Sequence, residues 1–252
     1  MTIRIYPKEQ QAYGAFNEGE IVENKPLGFP QDGGELRPYS NIFYWANAVA
    51  KNDSTIGLHP HQGFEILSFI LEGRIRHYDT KMDEWKWLSA GDVQLIQAGN
   101  GISHAEHMEA NSRMFQIWLD PNLSKTLQQE AKYTDYPANG FEAKDHGEYE
   151  QIIYSGQEGK IGLDTEAVEF GRVKTKSDGF EFPLNADSIL SVYVLNGSLK
   201  IDGKDLKEHD FAMIEDAEKL SAAGEAEWFY IKSPKRPSYA TYTEMILERK
   251  RK

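Results

Sequence analysis

The feature that most restricts the fold of this chain is a rhythm of short runs rich in Ile, Val, Phe, Tyr and Trp, each closed by a glycine-bearing or Asp-bearing turn. Runs at 64–71, 92–97, 114–119, 189–195 and 228–231 have the length and residue types of strands. Between them stand turn signals such as Glu72-Gly73, Ala90-Gly91-Asp92, Gly99-Asn100-Gly101, Asn196-Gly197 and Asp202-Gly203. The spacing predicts an all-β fold of antiparallel strands, in a sandwich or a barrel. Helical patterns are few, the clearest being 122–132, with Asn122 as its candidate cap, and 241–250.

The rhythm also repeats. Residues 69–75 read like 193–199, 88–93 like 206–211, and 113–118 like 226–231, the two sets lying about 120 residues apart. This predicts two tandem barrels, residues 1–130 and 131–252, joined within the polar, turn-rich stretch 121–147.

Charge and composition narrow the function. The 252 residues carry 28 Lys+Arg against 40 Asp+Glu, a formal charge of −12, which repels phosphate backbones and argues against direct nucleic-acid binding. The basic run Arg249-Lys250-Arg251-Lys252 reads as the cationic close of the last helix. A polar start and the lack of any long apolar stretch predict a soluble, cytoplasmic protein with no membrane contact. There are no cysteines, so a metal would have to sit on His, Asp or Glu.

Five of the seven histidines (His59, His61, His77, His104 and His107) fall within 59–107. In an extended strand alternate side chains share a face, so His59-Pro60-His61 and His104-Ala105-Glu106 each present two donor atoms in one direction. Strand pairing would bring the two pairs together as three nitrogens and one oxygen. Such a set suits one divalent metal ion: Fe(II), Mn, Co, Ni, Cu or Zn. Glu65, of the same parity as His61, is a rival carboxylate or an acceptor that orients an imidazole. His77 reads as part of a turn with Asp79, His107 as facing away from the site, and Phe64, Met114, Phe115 and Trp118 as core.

Taken together, Gly57, His59, His61, Gly63 and Glu65, then Leu71-Glu72-Gly73, His77, Asp79, Gly91-Asp92, Gln94, Gly99, Gly101, His104 and Glu106, closely resemble the pirin family of the cupin superfamily. The resemblance implies a bicupin of two jelly-roll barrels with metal in the first alone, held by His59, His61, His104 and Glu106, iron being the usual metal. Gln62 stands where the family often has a basic residue and the second half is short. The chain therefore looks like the compact bacterial pirins with quercetin 2,3-dioxygenase activity. That likeness implies a metal-dependent dioxygenase opening a flavonol or a related enolisable aromatic molecule, with Glu106 as the catalytic base. The alternative it carries is a non-enzymatic metal or redox sensor that binds a regulatory protein partner. Family precedent implies a monomer. Carrying the repeat spacing forward puts Pro183 and Asn185 where His59 and His61 stand, and Ala222 where His104 stands, so the second barrel is expected to lack metal ligands.

Overall fold

The computed structural model describes residues 1–176 and 179–251. Lys252, the end of the basic run, lies outside the described residues, as do the side chains of Lys250 and Arg251. In chain order the strands begin β1 (Thr2–Tyr6), β2 (Ala12–Phe16), β3 (Ile21–Leu27), β4 (Ile42–Ala50), β5 (Ser54–His61), β6 (Glu65–Glu72) and β7 (Arg74–Asp79). They continue with β8 (Trp85–Ser89), β9 (Val93–Gln97), β10 (Ile102–Met108), β11 (Arg113–Leu119), β12 (Lys132–Tyr136), β13 (Lys144–Asp145) and β14 (Tyr149–Ile153). The last are β15 (Glu169–Thr175), β16 (Phe180–Pro183), β17 (Ser188–Ile201), β18 (Lys204–Lys207), β19 (Phe211–Glu215), β20 (Lys219–Ala223) and β21 (Ala226–Pro234). Every one of their pairings is antiparallel.

These strands form two compact units: Gln11–Gly140 with Pro237–Lys252, and Phe141–Arg236 with Met1–Gln10. In the first, a sheet of order β12-β9-β6-β11-β4-β3-β2 packs on a smaller one, β5-β10-β7-β8. Ile21, Ile70 and Met114 from the large sheet close on Ile75 and Met108 from the small one, which makes the pair of sheets a barrel with an apolar end. In the second unit the order β1-β19-β17-β21-β15-β14-β13 matches the first strand for strand, with β16, β20 and β18 as the smaller layer. Its core is built on Phe182, Trp228 and Tyr230. The internal repeat is therefore a repeat of topology. In it β1 occupies in the second barrel the closing position that β12 occupies in the first, with Ile3 and Ile5 packed on the second core.

Three local expectations change. The helix at 122–132 is one turn, α1 (Leu123–Thr126), capped as expected by Asn122, whose side chain accepts from the Ser124 N–H at 3.2 Å. The chain is then needed as strand: Lys132 to Tyr136 pair with β9, and sheet pairing overrides a weak helical preference. Asn196-Gly197 is not a hairpin turn. The strand β17 runs through it with a bulge after Val194 and Gly197 at φ 77°, so one strand serves both layers of the second barrel. The last helix, α2 (Tyr242–Arg251), starts one residue later than expected because Thr241 is its cap: the Thr241 N–H donates to Glu244 Oε2 at 2.8 Å in a capping box. No helix among the described residues is long and apolar enough to cross a membrane.

Candidate metal centre

The chemistry-bearing side chains share one face of the small sheet of the first barrel. His104 lies directly opposite His59 on β5 and opposite Asp79 on β7; two residues on, Glu106 lies opposite His77. Further along the same inward row Met108 joins the apolar core. The polar residues therefore occupy one end of the barrel interior and the core fills the other. Gly63, at φ 81°, turns the chain between His61 and β6, in a conformation that costs glycine little.

Three imidazoles are brought together. Donor atoms of His59, His61 and His104 all lie within 4.8 Å of one another. His59 Nδ1 is 2.8 Å from the carbonyl oxygen of Gly57; a carbonyl can only accept, so Nδ1 carries a proton, which leaves Nε2 as the ring nitrogen available to a metal. The Nε2 atoms of His61 and His104 face one another at 2.9 Å. Burial pushes the His61 imidazolium down to about 3, helped by His104 and His59, and burial likewise holds His104 well below the usual imidazole range. Both rings are thus neutral, the form that binds metal. His104 Nδ1 is buried with no hydrogen-bond partner.

Glu106 lies outside this group of donor atoms. It is 1% exposed, and both its oxygens accept from Gln116 Nε2, at 3.0 and 2.9 Å. The Trp118 indole N–H donates to Gln116 Oε1 at 3.1 Å, which fixes the amide's orientation. Gln116 is thus the side chain that holds Glu106, and no ion pair from Lys or Arg reaches its carboxyl group among the described residues.

The donor set fits a divalent metal. With metal–nitrogen bonds of about 2.1 Å, adjacent nitrogens at right angles stand about 3 Å apart, close to the spacing of the two facing Nε2 atoms. Glu65 is buried at the start of β6 and accepts from Gln97 Nε2 at 2.9 Å, also outside the group of donor atoms. His107 points to the other face, with Nδ1 2.9 Å from Thr55 Oγ1.

His77 is the residue that the turn reading missed. It is fully buried on β7, with its ring 5.4 Å from that of His104, stacked on Tyr133 at 5.0 Å, and Nε2 3.1 Å from Asp79 Oδ2. Burial lowers its pKa despite the opposing pull of Glu106 and Asp79. The sequence did hold a signal: His77-x-Asp79 is a third alternating pair with the spacing of the other two. Trp118 is also more than core. It is partly exposed and meets the His61 ring edge-on at 4.7 Å, within an aromatic group that includes Phe43 and Phe64. A depression of about 540 Å³ opens beside the site, with His61, Gln62, Asn100 and Ile102 among its walls.

Residues 35–119 match the profile of the pirin family. The chain carries a pirin domain. This pirin domain spans β4 to β11 and holds all three imidazoles, Glu106, Gln116 and Trp118. Over 182 residues the chain is 29% identical to a Zymomonas mobilis protein provisionally named a quercetin 2,3-dioxygenase, covering 70% of this chain and 74% of that one. It is 26% identical over 172 residues to the quercetin 2,3-dioxygenase of Escherichia coli K12, covering 66% of this chain and 69% of the other. A bacterial pirin from Escherichia coli in complex with nickel(II) shares its fold, with a TM-score of 0.78 at 20% identity over 92% of this chain and 99% of that one.

Proposed function

We propose that His59, His61, His104 and Glu106 of the pirin domain hold one divalent metal, iron in its ferrous state, and that the protein is a dioxygenase acting on flavonols or related enolisable aromatics. The observation that carries this reading is the three-imidazole cluster at an open end of the barrel, beside a buried carboxylate with no cationic partner. A metal bound there supplies Lewis acidity toward an enolic hydroxyl and electronic contact between substrate and dioxygen. Glu106 accepts the hydroxyl proton at a carboxylate oxygen. Gln116, held by the Trp118 indole, keeps that carboxylate aimed along the inward face of β10. The partly exposed rings of Trp118 and Phe64, 6.0 Å apart, offer apolar contact to a ring bound nearby. The neighbouring depression is in the size range of small-molecule pockets, about 300–1,000 Å³, which favours an enzyme over a sensor with a closed site.

The test is aerobic incubation of iron-, nickel- or copper-loaded protein with quercetin, followed by loss of the flavonol absorbance. Wild-type protein is expected to bleach it with at least one metal. Glu106→Gln, which keeps the shape but loses the base, should slow turnover by about a hundredfold or more. Failure of every metal form would favour the sensor.

A further inference from the structure

The mouth of the second barrel contains a cavity of about 840 Å³, larger than the depression beside the imidazoles. Strand register shows what has replaced the metal site there. Trp228 opposite Val194 corresponds to Met114 opposite Ile70, so Tyr230 stands in the place of Gln116 and Lys232 in that of Trp118. In the small layer the buried pair Phe182–Leu220 stands where His59 faces His104, a register that moves the expected equivalents away from Pro183, Asn185 and Ala222. The imidazoles have become apolar floor, yet the mouth has kept a polar pair of its own.

Lys232 Nζ lies 3.1 Å from Glu169 Oε1, and over the rings of Phe182 and Tyr230 at 5.0 and 5.4 Å. The same carboxylate oxygen accepts from the Tyr230 hydroxyl at 2.9 Å, which in turn accepts from Gln151 Nε2 at 2.7 Å. Burial raises the Tyr230 pKa, so the phenol stays a donor. Tyr230 lies flat over Gly171, where any Cβ would strike its ring. The Lys–Glu pair is thus braced from below by a directed chain of hydrogen bonds. These contacts engage one of Glu169's two oxygens and one of Lys232's three N–H donors, leaving an acceptor and donors side by side on the cavity wall.

Two opposite charges that already neutralise each other, with Asp187 also lining the cavity, do not favour an anionic ligand. Adjacent hydroxyls match them, one accepting from the ammonium and its neighbour donating to the carboxylate. Ile161, Leu163, Val168 and Leu184 supply apolar wall for a ring face. We propose that the mouth of the second barrel is a metal-independent binding site for an uncharged ring bearing vicinal hydroxyls. A sugar and a catechol share this chemistry. The proposal stands independently of any activity in the first barrel.

Calorimetric titration of the full chain with D-glucose, D-galactose and catechol, for wild type and His104→Ala, tests it and separates the two sources. At least one probe is expected to bind both proteins alike. Lys232→Met should weaken that binding by about tenfold or more, the loss expected for a charge-assisted hydrogen bond. Because Lys232→Met leaves Glu169 unpaired and could impair folding, Gly162→Tyr is the second variant. Gly162 lines the cavity with open space at its Cβ position, so a ring there should block entry without disturbing the fold. Binding of no probe, binding unchanged in Gly162→Tyr, or catechol binding abolished by His104→Ala and kept in Gly162→Tyr would each overturn the proposal.

Discussion

Glu106, proposed above as the base and fourth ligand, is a side chain shut away from water, held by the Gln116 amide and paired across the strands with His77. Its neighbour two positions back, His104, and the histidine beyond it, His107, lie on opposite faces of the same strand. Replacing His104 with Ala should therefore remove the metal, while replacing His107, which contacts Thr55 on the other face, should leave metal content near wild type. Metal analysis of the two purified variants checks this, and equal losses would contradict it. At this scale the sequence was legible wherever alternation alone decides: the His-x-His and His-x-Glu pairs share a face because strand side chains do. What it did not show is set by pairing between distant strands. His77 looked like a turn residue until β7 was placed against β10, and Trp118 looked like core until its ring was placed on His61.

Among the elements, α2 shows how a helix is anchored by one buried acid. The Tyr242 N–H at its first turn donates to Asp120 Oδ2 at 2.6 Å, and the Tyr239 hydroxyl donates to the Asp120 carbonyl at 2.7 Å. Asp120 is 2% exposed and its Oδ1 has no partner. Burial, with a smaller push from Glu244, raises its carboxyl from 3.8 to about 7 against the opposing bond from Tyr242. A carboxyl whose folded pKa is raised binds its proton more tightly when folded. Its contribution to stability is therefore greatest at low pH and falls as pH rises from 3.8 to about 7. Asp120→Asn should remove that fall, so the difference in urea midpoint between variant and wild type should move in the variant's favour across this window. A constant difference would show that Asp120 does not titrate there. Neither the acid nor its partner could be read from sequence, since more than a hundred positions separate them. The single-turn α1 was misread for the opposite reason, local pattern yielding to the pairing of Lys132–Tyr136 with β9.

At the scale of the whole molecule, the same strand order was built twice and given different interiors. The repeat was visible in sequence because glycine and Asp turns recur in order. Its exact register was not, since a one-residue slip in β21 turns Tyr230 and Lys232 from the interior to the outer face. Chain ends were also hidden: residues 1–10 complete the second unit and 237–252 the first, an exchange that hydrophobic rhythm does not reveal. If the first barrel alone holds metal, an added divalent ion at a hundred times its Kd should stabilise the folded state of that barrel by about 2.7 kcal/mol, and His104→Ala should abolish the effect. Differential scanning calorimetry with and without metal measures this; an equal shift in the variant would place the ion elsewhere. The most direct measurement is anomalous diffraction at the metal edge from crystals of the metal-loaded protein. One peak per chain is predicted, bounded by the Nε2 atoms of His59, His61 and His104 and a carboxylate oxygen of Glu106. A peak at any other position, or none in a loaded crystal, would contradict the account.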